Sequence, residues 1–284
     1  MPRKDRRPSR PSARPQTRSH GHQPQRPQSP KRGASPRQAS GIWLYGLHAV
    51  KAALANPRRK LHRAVLTERA AEEIGAKLLG RVRHETADAD AVGKLLPPGA
   101  VHQGVALNCE PLPQRDLEEV LGAPARDAAG QPVAGRRRIV LVLDQLSDPH
   151  NTGAILRSAA AFGASAVVVQ DRHAPPEAGA LAKAASGALD SVPYVSVVNI
   201  ARALDELAKL GFWRIALAGD GEMDFREAVN NAGDVALVLG SEGAGIRRLV
   251  REHCDTAAFL PIESAMESLN VSNAAAIALY ELRR

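Results

Sequence analysis

The sequence lacks any hydrophobic run long enough to cross a membrane, and it has only two cysteines in 284 residues. A membrane-spanning helix needs about 20 consecutive apolar residues, and no apolar stretch follows the first residues as it would in a secretory signal. Cys109 and Cys254 lack the spacing of a metal site or a disulfide framework, so we expect two free, packed thiols. These absences predict a cytoplasmic protein that is not embedded in a membrane and binds no metal.

The first 40 residues have almost no acidic or large apolar side chains. They contain nine Arg and two Lys against a single acid, Asp5, which gives a net charge of +10. Because the whole chain carries +8, residues 41–284 carry −2. Without apolar surface to offset chain entropy, we expect residues 1–40 to be a disordered basic tail. The tail either contacts a polyanion or is only a solubilising extension, and its eight prolines argue against an amphipathic transit helix.

Alternating helix and strand patterns begin at Ile42 and predict a small α/β domain over residues 42–110. Apolar spacing is typical of helices at residues 47–54 and 70–80, and of strands at residues 64–66 and 101–107. The following segment, residues 111–136, is rich in Pro, Gly, Ala and charged residues. This composition predicts a linker between two domains.

A second domain, residues 137–284, opens with the apolar run Ile-Val-Leu-Val-Leu at residues 139–143. A continuous run of this kind is typical of a strand buried on both faces. Further strand patterns follow at residues 166–169, 195–198, 215–218, 235–239 and 259–262, and helical patterns at 152–162, 177–187, 200–210, 245–253 and 270–284. The alternation predicts an α/β fold with a mostly parallel sheet, whose ligands bind at the carboxyl ends of the strands.

The first loop of interest has the sequence DPHNTGAILR, residues 148–157, and follows the first strand of this domain. Asn151 is placed to cap a helix, and Gly153 allows another backbone to approach. The apolar side chains of this helix form a core stripe on a face away from Arg157, at residues 155, 159 and 162. Arg157 is therefore either directed toward the active edge of the sheet or simply exposed to solvent.

The second loop, GSEGAG at residues 240–245, follows the strand pattern at residues 235–239 and leads to a helix. Its three glycines permit the backbone to approach a ligand closely. Their spacing is neither that of a G-x-G-x-x-G dinucleotide motif nor that of a phosphate-binding P-loop. A tight structural turn is the alternative interpretation.

The third loop contains residues 260–262 and, after a short polar segment, Ser-Leu-Asn at residues 268–270. It runs into a last helix with four alanines among residues 274–278, which indicates that another element packs closely against that helix. Ser268 and Asn270 either belong to a binding site or serve as caps at the start of the helix.

In their order, their spacing and their position after strands, the three loops resemble the three motifs of the SpoU (TrmH-like) family of RNA 2'-O-methyltransferases, in the SPOUT superfamily. The resemblance covers residues 139–284, including the segment AASGA at residues 184–188. The segments YGLHAV, residues 45–50, and GAVHQG, residues 99–104, resemble the substrate-binding domain that precedes the catalytic domain in some members. Those members are of the 23S rRNA guanosine-2'-O-methyltransferase type.

The resemblance implies a fold, a cofactor and partners. Family members have a C-terminal α/β domain with a trefoil knot, an exception to the rule that chains are not knotted. The type resembled here has in front of it a small α/β domain like ribosomal protein L30e. Its members transfer a methyl group from S-adenosyl-L-methionine to a ribose 2'-hydroxyl of RNA, and their active sites are completed across the two-fold interface of a homodimer. The resemblance therefore predicts RNA and a second copy of the chain as partners.

The resemblance also assigns site residues. The cofactor would bind in a cleft formed by six residues of the second and third loops: Leu239, Gly240, Gly245, Leu260, Ile262 and Leu269. Arg157 matches the residue that activates the ribose hydroxyl, and four further catalytic-site residues would position ribose and cofactor: Asn151, Glu242, Ser268 and Asn270. The chain departs from many relatives at residues 263–267, where a glycine-containing segment is replaced by Glu-Ser-Ala-Met-Glu.

A guanidinium is an improbable general base because its pKa lies above about 12. We expect Arg157 to polarise the hydroxyl together with an RNA phosphate that accepts the proton, and an Arg157 deprotonated within the site is the alternative. Two other functions are open: methylation of transfer RNA, and RNA binding without catalysis in ribosome assembly. A nucleotide-dependent oxidoreductase is disfavoured by the glycine spacing.

Overall fold

The structure contains two β-sheets, and it is a computed structural model that describes residues 41–122, 135–230, 232–263 and 268–284. Three predicted features lie wholly or partly outside the described residues: the basic tail at 1–40, residues 123–134 of the linker predicted at 111–136, and residues 264–267 of the divergent segment at 263–267. Both sheets belong to one compact unit that extends to Arg284.

The first sheet has four strands: β1 (Ile42–Tyr45), β2 (Leu61–Leu66), β3 (Arg83–Thr86) and β4 (Val105–Cys109). Their order is β1-β4-β2-β3, with β4 antiparallel to β1 and β2, and with β3 parallel to β2. The helices of this region are α1 (Leu47–Ala55), α2 (Glu68–Ile74), α3 (Ala76–Leu79), α4 (Ala89–Gly93) and α5 (Leu117–Leu121). One face of the sheet is apolar and shares a buried core with α1, α2 and α3.

Two predicted elements of this region are divided or shortened. The helix predicted at residues 70–80 is two helices, because Gly75 has a φ of 87° and ends α2. The strand predicted at residues 101–107 starts four residues later, because Gln103 and Gly104 have positive φ values and form a turn. The sequence pattern does not predict β3, since all four of its residues are exposed and show no apolar alternation.

The second sheet has seven strands: β5 (Ile139–Asp144), β6 (Ala166–Gln170), β7 (Tyr194–Val197), β8 (Trp213–Leu217), β9 (Met223–Asp224), β10 (Val235–Gly240) and β11 (Thr256–Phe259). All pair in parallel, in the order β7-β6-β5-β10-β8-β11-β9. The helices are α6 (Pro149–Ala161), α7 (Gly179–Ala185), α8 (Ala188–Ser191), α9 (Ile200–Lys209), α10 (Phe225–Val229), α11 (Arg248–Glu252) and α12 (Val271–Arg283). The predicted α/β fold with a parallel sheet is confirmed.

The central strands β5 and β10 are buried on both faces, which explains their continuous apolar runs. Alternate residues of a strand point to opposite faces. Ile139, Leu141 and Leu143 lie in the same core as the buried residues of α6, α7 and α12, whereas Val140 and Val142 pack in a second core with α5 and α9. Helix α5 therefore packs on the second sheet, although it lies within the segment predicted as a linker.

The prediction of a strand at residues 259–262 is wrong, because the observed strand begins and ends three residues earlier. The observed strand, β11, ends at Phe259, and residues 260–262 leave the sheet. Pro261 has no N–H group to donate to a sheet ladder, which explains why the strand does not continue through it. This displacement places Leu260 and Ile262 in the loop at the carboxyl edge of the sheet.

A buried ion pair joins the turn between α1 and β2 to α8. Arg59 is 3% exposed and pairs with Asp190 through Nε–Oδ1 and Nη2–Oδ2 distances of 2.9 and 3.1 Å. Asn56 Nδ2 donates a further hydrogen bond to Asp190 Oδ1 at 2.9 Å. Removing one partner of a buried pair leaves an uncompensated charge and is strongly destabilising. The pair therefore holds the two parts of the described chain together.

Glycines let the same two parts approach closely. A side chain at Gly187 would lie 3.2 Å from the carbonyl oxygen of His48, and one at Gly179 would overlap the Tyr45 ring. Tyr45 and His48 belong to the YGLHAV segment, and Gly187 belongs to the AASGA segment. The two segments that carry part of the family resemblance thus contact each other.

Both cysteines are free, as predicted. Burial raises the pKa of the Cys109 thiol to about 11 and that of the Cys254 thiol to about 12. Both thiols therefore stay protonated at neutral pH, in keeping with a packing role. Within the described ranges, no helix has both the length and the apolar character needed to span a membrane.

Candidate active site

The three loops identified in the sequence converge at the carboxyl edge of the second sheet. The strand order reverses next to β5, since the chain passes from β5 to β6 and β7 on one side and then to β8 and β10 on the other. Ligands of such sheets bind beside this switch point. A cleft of about 820 Å³ lies on the β10 side of this point, between the loops that follow β8, β10 and β11.

The cleft brings together most of the predicted site residues. All six predicted cofactor-binding residues line it: Leu239, Gly240, Gly245, Leu260, Ile262 and Leu269. Three of the predicted polar residues line it as well: Glu242, Ser268 and Asn270. The Leu239 side chain is buried, so this residue offers main-chain atoms to the cleft, whereas Ile262 is 41% exposed.

The end of β8 contributes a wall that the predicted site does not include. Residues 217–220 line the cleft, and Asp220 Oδ2 accepts a hydrogen bond from Arg251 Nη1 at 2.7 Å. This hydrogen bond lowers the pKa of the Asp220 carboxyl, so an ionised carboxylate lies at the cleft. The sequence feature that could have identified this wall is the strand pattern at residues 215–218, which is followed by Gly-Asp-Gly.

The glycine-rich loop folds back on the end of β10. A side chain at Gly240 would overlap the carbonyl group of Gly245, and Gly245 N donates to Ser241 O at 2.9 Å. Gly243 and Gly245 have φ values of 84° and 67°, a region that favours glycine. At Gly240 the backbone therefore lies close to the backbone of the same loop. This arrangement is the tight structural turn that was given above as the alternative interpretation of the glycines. This turn forms one wall of the cleft.

An ion pair between a buried carboxylate and a partly exposed arginine fixes the far end of this loop. Asp144, the last residue of β5, is fully buried and accepts hydrogen bonds from Arg247 N, Nε and Nη2 at 3.0, 2.9 and 2.6 Å. Arg247 Nη2 also donates to Gln170 Oε1 at 3.0 Å. The loop is therefore fastened to two neighbouring strands, β5 and β6. Neither Asp144 nor Arg247 is among the predicted site residues. In the sequence, Asp144 could have been identified as an acid that directly follows a buried strand pattern.

Helix α6 begins three residues earlier than predicted. Its N-cap is Asp148, whose carboxylate accepts a hydrogen bond from Asn151 N at 3.0 Å. The prediction that Asn151 caps this helix is wrong, because Pro149 occupies the first helical position and suits a cap at Asp148. Gly153 does allow the predicted close approach, since a side chain there would lie 2.8 Å from the carbonyl carbon of Ala184.

Asn151 instead joins Glu242 and Asn270 in a hydrogen-bonded cluster. Asn151 Nδ2 donates to Glu242 Oε1 at 3.2 Å. Asn270 Nδ2 donates to the same oxygen at 2.6 Å and to Asn151 Oδ1 at 3.1 Å. Asn270 Oδ1 accepts from Ser272 N at 2.9 Å, so Asn270 also caps α12. The cluster therefore ties one residue from each of the three loops together at the rim of the cleft.

Arg157 lies apart from this cluster. It is exposed on α6 and is not among the residues that line the cleft. It follows Asn151 by six residues, which on an α-helix corresponds to roughly 9 Å along the axis and about 120° around it. Two of the three residues of the predicted core stripe, Ile155 and Ala159, are fully buried, and Phe162, the C-cap of α6, packs half-buried against the same core. Within one chain, Arg157 is therefore on a different face from the groups at the cleft.

The alanine-rich helix α12 packs on α6. Ala275 and Ala278 are fully buried in the core that the two helices share, which confirms that another element packs closely against them. A different face of α12 exposes Asn273, Ile277 and Tyr280, with Ile277 at 44% and Tyr280 at 55% exposure. Among the described residues, this second face has large apolar side chains open to solvent.

Comparisons with known proteins agree with this arrangement. The SpoU rRNA Methylase family matches residues 138–280, and the family of the RNA 2'-O ribose methyltransferase substrate-binding domain matches residues 43–115. Among solved structures, the SpoU methyltransferase AviRb from Streptomyces viridochromogenes, in complex with the cofactor AdoMet, is similar in fold. Its TM-score is 0.70 at 24% identity, over 87% of this chain and 90% of that chain.

Two curated relatives are similar in sequence over nearly their whole length. The 23S rRNA (guanosine-2'-O-)-methyltransferase RlmB of Xylella fastidiosa (strain Temecula1) is 40% identical over 254 residues, which cover 85% of this chain and 96% of the relative. The protein of the same name from Coxiella burnetii is 36% identical over 254 residues, 85% of this chain and 94% of the relative. On these matches and on the convergence of its three motif loops, the chain belongs to the SpoU rRNA methylase family.

Proposed function

We propose that the chain transfers a methyl group from S-adenosylmethionine to the ribose 2'-hydroxyl of a guanosine in 23S ribosomal RNA. The observation that carries this proposal is the cleft at the carboxyl edge of the second sheet, with one residue from each motif loop bonded together at its rim. The two relatives described above are named for this reaction. We also propose that the protein acts in the cytoplasm, which a ribosomal RNA substrate would support.

The cleft fits S-adenosylmethionine in size and chemistry. Small-molecule sites enclose roughly 300–1,000 Å³, and this cleft measures about 820 Å³. Leu260, Ile262 and Leu269 supply apolar surface for an adenine ring. The ionised Asp220 carboxylate can accept hydrogen bonds from hydroxyl or ammonium groups of a ligand. When bound, the cofactor supplies an activated methyl group on its sulfonium.

The polar cluster would hold the acceptor ribose. Both amides donate to Glu242 Oε1, so the carboxylate has a fixed orientation, and Oε2 receives no hydrogen bond from the described residues. Ser268, exposed at the cleft, adds a hydroxyl that can donate and accept. Methyl transfer requires the ribose oxygen to be held in line with the methyl group. We therefore assign Asn151, Glu242, Ser268 and Asn270 to positioning.

Arg157 would act on the hydroxyl from a second copy of the chain. A neutral alcohol is a poor nucleophile and must lose its proton during the transfer. A guanidinium can hold the hydroxyl and a neighbouring RNA phosphate at once through its planar donors, and the phosphate takes the proton. Because Arg157 lies outside the cleft of its own chain, a partner's α6 would have to bring it there.

We also propose that the chain is knotted and that it is divided into two domains. The C-terminal segment passes through a loop as a trefoil knot, within a catalytic domain of residues 137–284. The first sheet is a substrate-binding domain of residues 42–110, with a fold like ribosomal protein L30e. Family membership supports both statements, and the knot is further supported by the way residues 240–246 and the described residues 260, 262 and 268–271 line the same cleft.

The protein is expected to be a homodimer in solution, with the exposed face of α12 at the two-fold interface. Light scattering should give twice the mass of one chain. Tyr280→Arg should dissociate the dimer, because it places a charge in an interface that buries Tyr280. The control Leu249→Arg changes a 55% exposed leucine on α11 and should leave the dimer intact. A fully active wild-type monomer would contradict the proposal.

Methyl transfer from S-adenosylmethionine to purified RNA tests the function directly. We expect a 23S rRNA fragment to gain one 2'-O-methylguanosine, and transfer RNA to gain none. Methylation confined to transfer RNA would replace the substrate in this proposal. RNA binding without methylation of either substrate would instead indicate a non-catalytic ribosome-assembly protein.

The basic tail is expected to strengthen RNA binding without affecting the cofactor. Deleting residues 1–40 removes a net charge of +10, so RNA affinity should fall and its dependence on salt should flatten. A control that keeps the length but replaces the basic residues of the tail with glutamine should behave like the deletion. Calorimetry should give the same S-adenosylmethionine affinity for all three proteins. An unchanged salt slope would show that the tail takes no part in RNA binding.

A further inference from the structure

A second pocket lies at the amino edge of the second sheet, where residues 136–137 lead into β5 and residues 232–234 lead into β10. It measures about 1210 Å³, and the ends of α6, α10 and α12 border it. Because β5 and β10 each have six residues, the pocket lies roughly 20 Å from the cleft at the other edge. We call it the arginine pocket, after three half-buried arginines that line it: Arg136, Arg137 and Arg283.

Main-chain carbonyl groups hold two of these side chains in place. Arg283 donates from Nε to Phe162 O at 2.6 Å and from Nη1 to Arg137 O at 2.8 Å. Arg137 Nη2 donates to Ala232 O at 2.7 Å. All six hydrogen bonds from the two side chains to described residues go to main-chain carbonyl oxygens. Both guanidinium groups are therefore fixed, but by uncharged partners.

The two acids that line the pocket are paired with other arginines. Glu281 Oε1 lies 3.0 Å from Nη2 of Arg226, which also lines the pocket, and Asp234 Oδ2 lies 2.6 Å from Nη2 of Arg138. No described carboxylate forms an ion pair with the three arginines after which the pocket is named. The described part of the pocket thus has an excess of positive charge, although residues 41–284 as a whole carry −2.

The three arginines are close enough to affect one another. A side chain at Gly163 would overlap the Arg136 guanidinium, and Arg283 Nη2 donates to the carbonyl oxygen of the same glycine. Burial, and then the positive charges of Arg136 and Arg137, lower the pKa of Arg283 to about 10. Arg283 is still charged at neutral pH, but its charge is held at a cost that an anion in the pocket would offset.

The donors and the size of the pocket indicate which anion it fits. Each terminal nitrogen of Arg283 has a second N–H group that no described residue accepts. A guanidinium presents its N–H groups in a planar fork that matches the oxygens of a phosphate. The pocket, at about 1210 Å³, is larger than the roughly 300–1,000 Å³ of small-molecule sites. Part of a phosphate polymer therefore fits it better than a small ligand does.

We propose that the arginine pocket binds phosphate groups of the RNA backbone. Arg136 and Arg283 donate to one phosphate, and Arg226, whose exposed pair with Glu281 contributes little, contacts the next one. The inference rests on the proposed function in taking RNA as the polymer. It adds a contact at the edge of the second sheet opposite to the cleft, so that RNA is held on two sides of the same sheet.

A photo-cross-linker at the pocket tests where the RNA lies. In full-length Asn230→Cys the new thiol replaces an exposed residue that lines the pocket. Both native thiols are protonated at neutral pH because burial raises their pKa, so a benzophenone maleimide reacts mainly at residue 230. Ultraviolet light should cross-link this protein to a 23S rRNA fragment. The same label on Arg202→Cys, at an exposed position of α9, should cross-link at a much lower yield.

Substitutions test the same contact by affinity. Arg136→Gln should lower the slope of log affinity against log salt by about 0.7 to 0.9, the value for one phosphate contact. Asn230→Glu places a carboxylate at the pocket and should weaken RNA binding by about 5-fold, the scale of repulsion between unit charges about 4 Å apart in water. The control Arg202→Gln removes an exposed arginine of α9 and should keep the wild-type slope and affinity.

Two other occupants are outcomes of the same tests. Inorganic pyrophosphate, followed by calorimetry, represents a free phosphate compound. If it bound the wild type but not Arg136→Gln, while RNA affinity and its salt slope were the same in both proteins, RNA would be refuted as the occupant. Light scattering should give the wild-type mass for Arg136→Gln and Asn230→Glu. A loss of the dimer in either variant would assign the pocket to an interface between copies and would overturn the inference.

The remaining outcomes separate this inference from the proposed function. Equal cross-linking from residues 230 and 202, or a wild-type salt slope in a folded Arg136→Gln, would overturn the inference. If Arg136→Gln does not fold, the cross-linking decides. None of these measurements uses S-adenosylmethionine. A wild-type protein whose pocket cross-links to RNA but that never transfers a methyl group would refute the proposed function alone.

Discussion

Arg157→Ala is expected to lower single-turnover methyl transfer by on the order of 100-fold or more, the scale for loss of a positioned catalytic group. The affinity for S-adenosylmethionine should not change, because Arg157 does not line the cleft. Stability should also be unaffected, since the side chain is exposed on α6. The measurements are single-turnover methylation of a 23S rRNA fragment at saturating RNA, and calorimetry of cofactor binding.

Two further variants make this prediction specific. Arg157→Lys should recover little activity, because a compact ammonium cannot hold a hydroxyl and a phosphate together as a planar guanidinium does. Arg202→Ala removes an arginine that is also exposed on a helix, and should have normal turnover. Near-normal turnover of Arg157→Ala would show that Arg157 is only a surface or RNA-backbone contact.

Gly240→Val is expected to weaken S-adenosylmethionine binding by on the order of 100-fold, near the upper end of the cost of overpacking. Any side chain at this position overlaps the Gly245 carbonyl group, so the loop must move away from the end of β10. The displaced loop forms a wall of the cleft. Because the position lies at the edge of the sheet, the protein should still fold, and thermal unfolding should change much less than cofactor affinity.

Gly233→Val is the matched control. Gly233 precedes the same strand, and a side chain there meets no other atom within 4 Å. It should bind S-adenosylmethionine like the wild type. A Gly240→Val protein with normal cofactor affinity would mean that the cleft at this loop is not the cofactor site, and the assignment of Gly240 and Gly245 would fail with it.

The long buried strands were the most predictable part of the fold. Strands β5 and β10 are covered on both faces, and this burial requires the continuous apolar runs from which they were predicted. Elements with little burial leave no such pattern. Strand β3 is exposed at every residue, and α5 buries only Leu117 and Leu121 within a segment whose composition is that of a linker.

The residues of the site were more predictable than their contacts. Glycines and polar residues after strand patterns identified the cleft loops, and the family and its methyl-transfer chemistry are confirmed by the comparisons. Which side chains meet depends on how distant loops are brought together. Asn151 lies 91 residues before Glu242 and bonds to it, whereas local spacing suggested a cap. The catalytic and positioning roles of these residues stay predictions.

The position of Arg157 shows a second limit of prediction from the sequence. Its motif match places it with Asn151, six residues away, yet the helix turns it to another face. A pattern within one chain does not say whether two residues serve the same site or the sites of two copies. In the same way, the alanines of α12 indicated a close neighbour, and the structure shows that this neighbour is α6 of the same chain.

The joint between the two sheets has a consequence for how a nucleotide would be selected. The Arg59–Asp190 ion pair and the glycine contacts around α8 join the first sheet to the helices that pack on the second. An RNA that contacted the first sheet while its ribose lay in the cleft would have to reach across this joint. The target nucleotide would then be selected partly by how far along the RNA it lies from that contact.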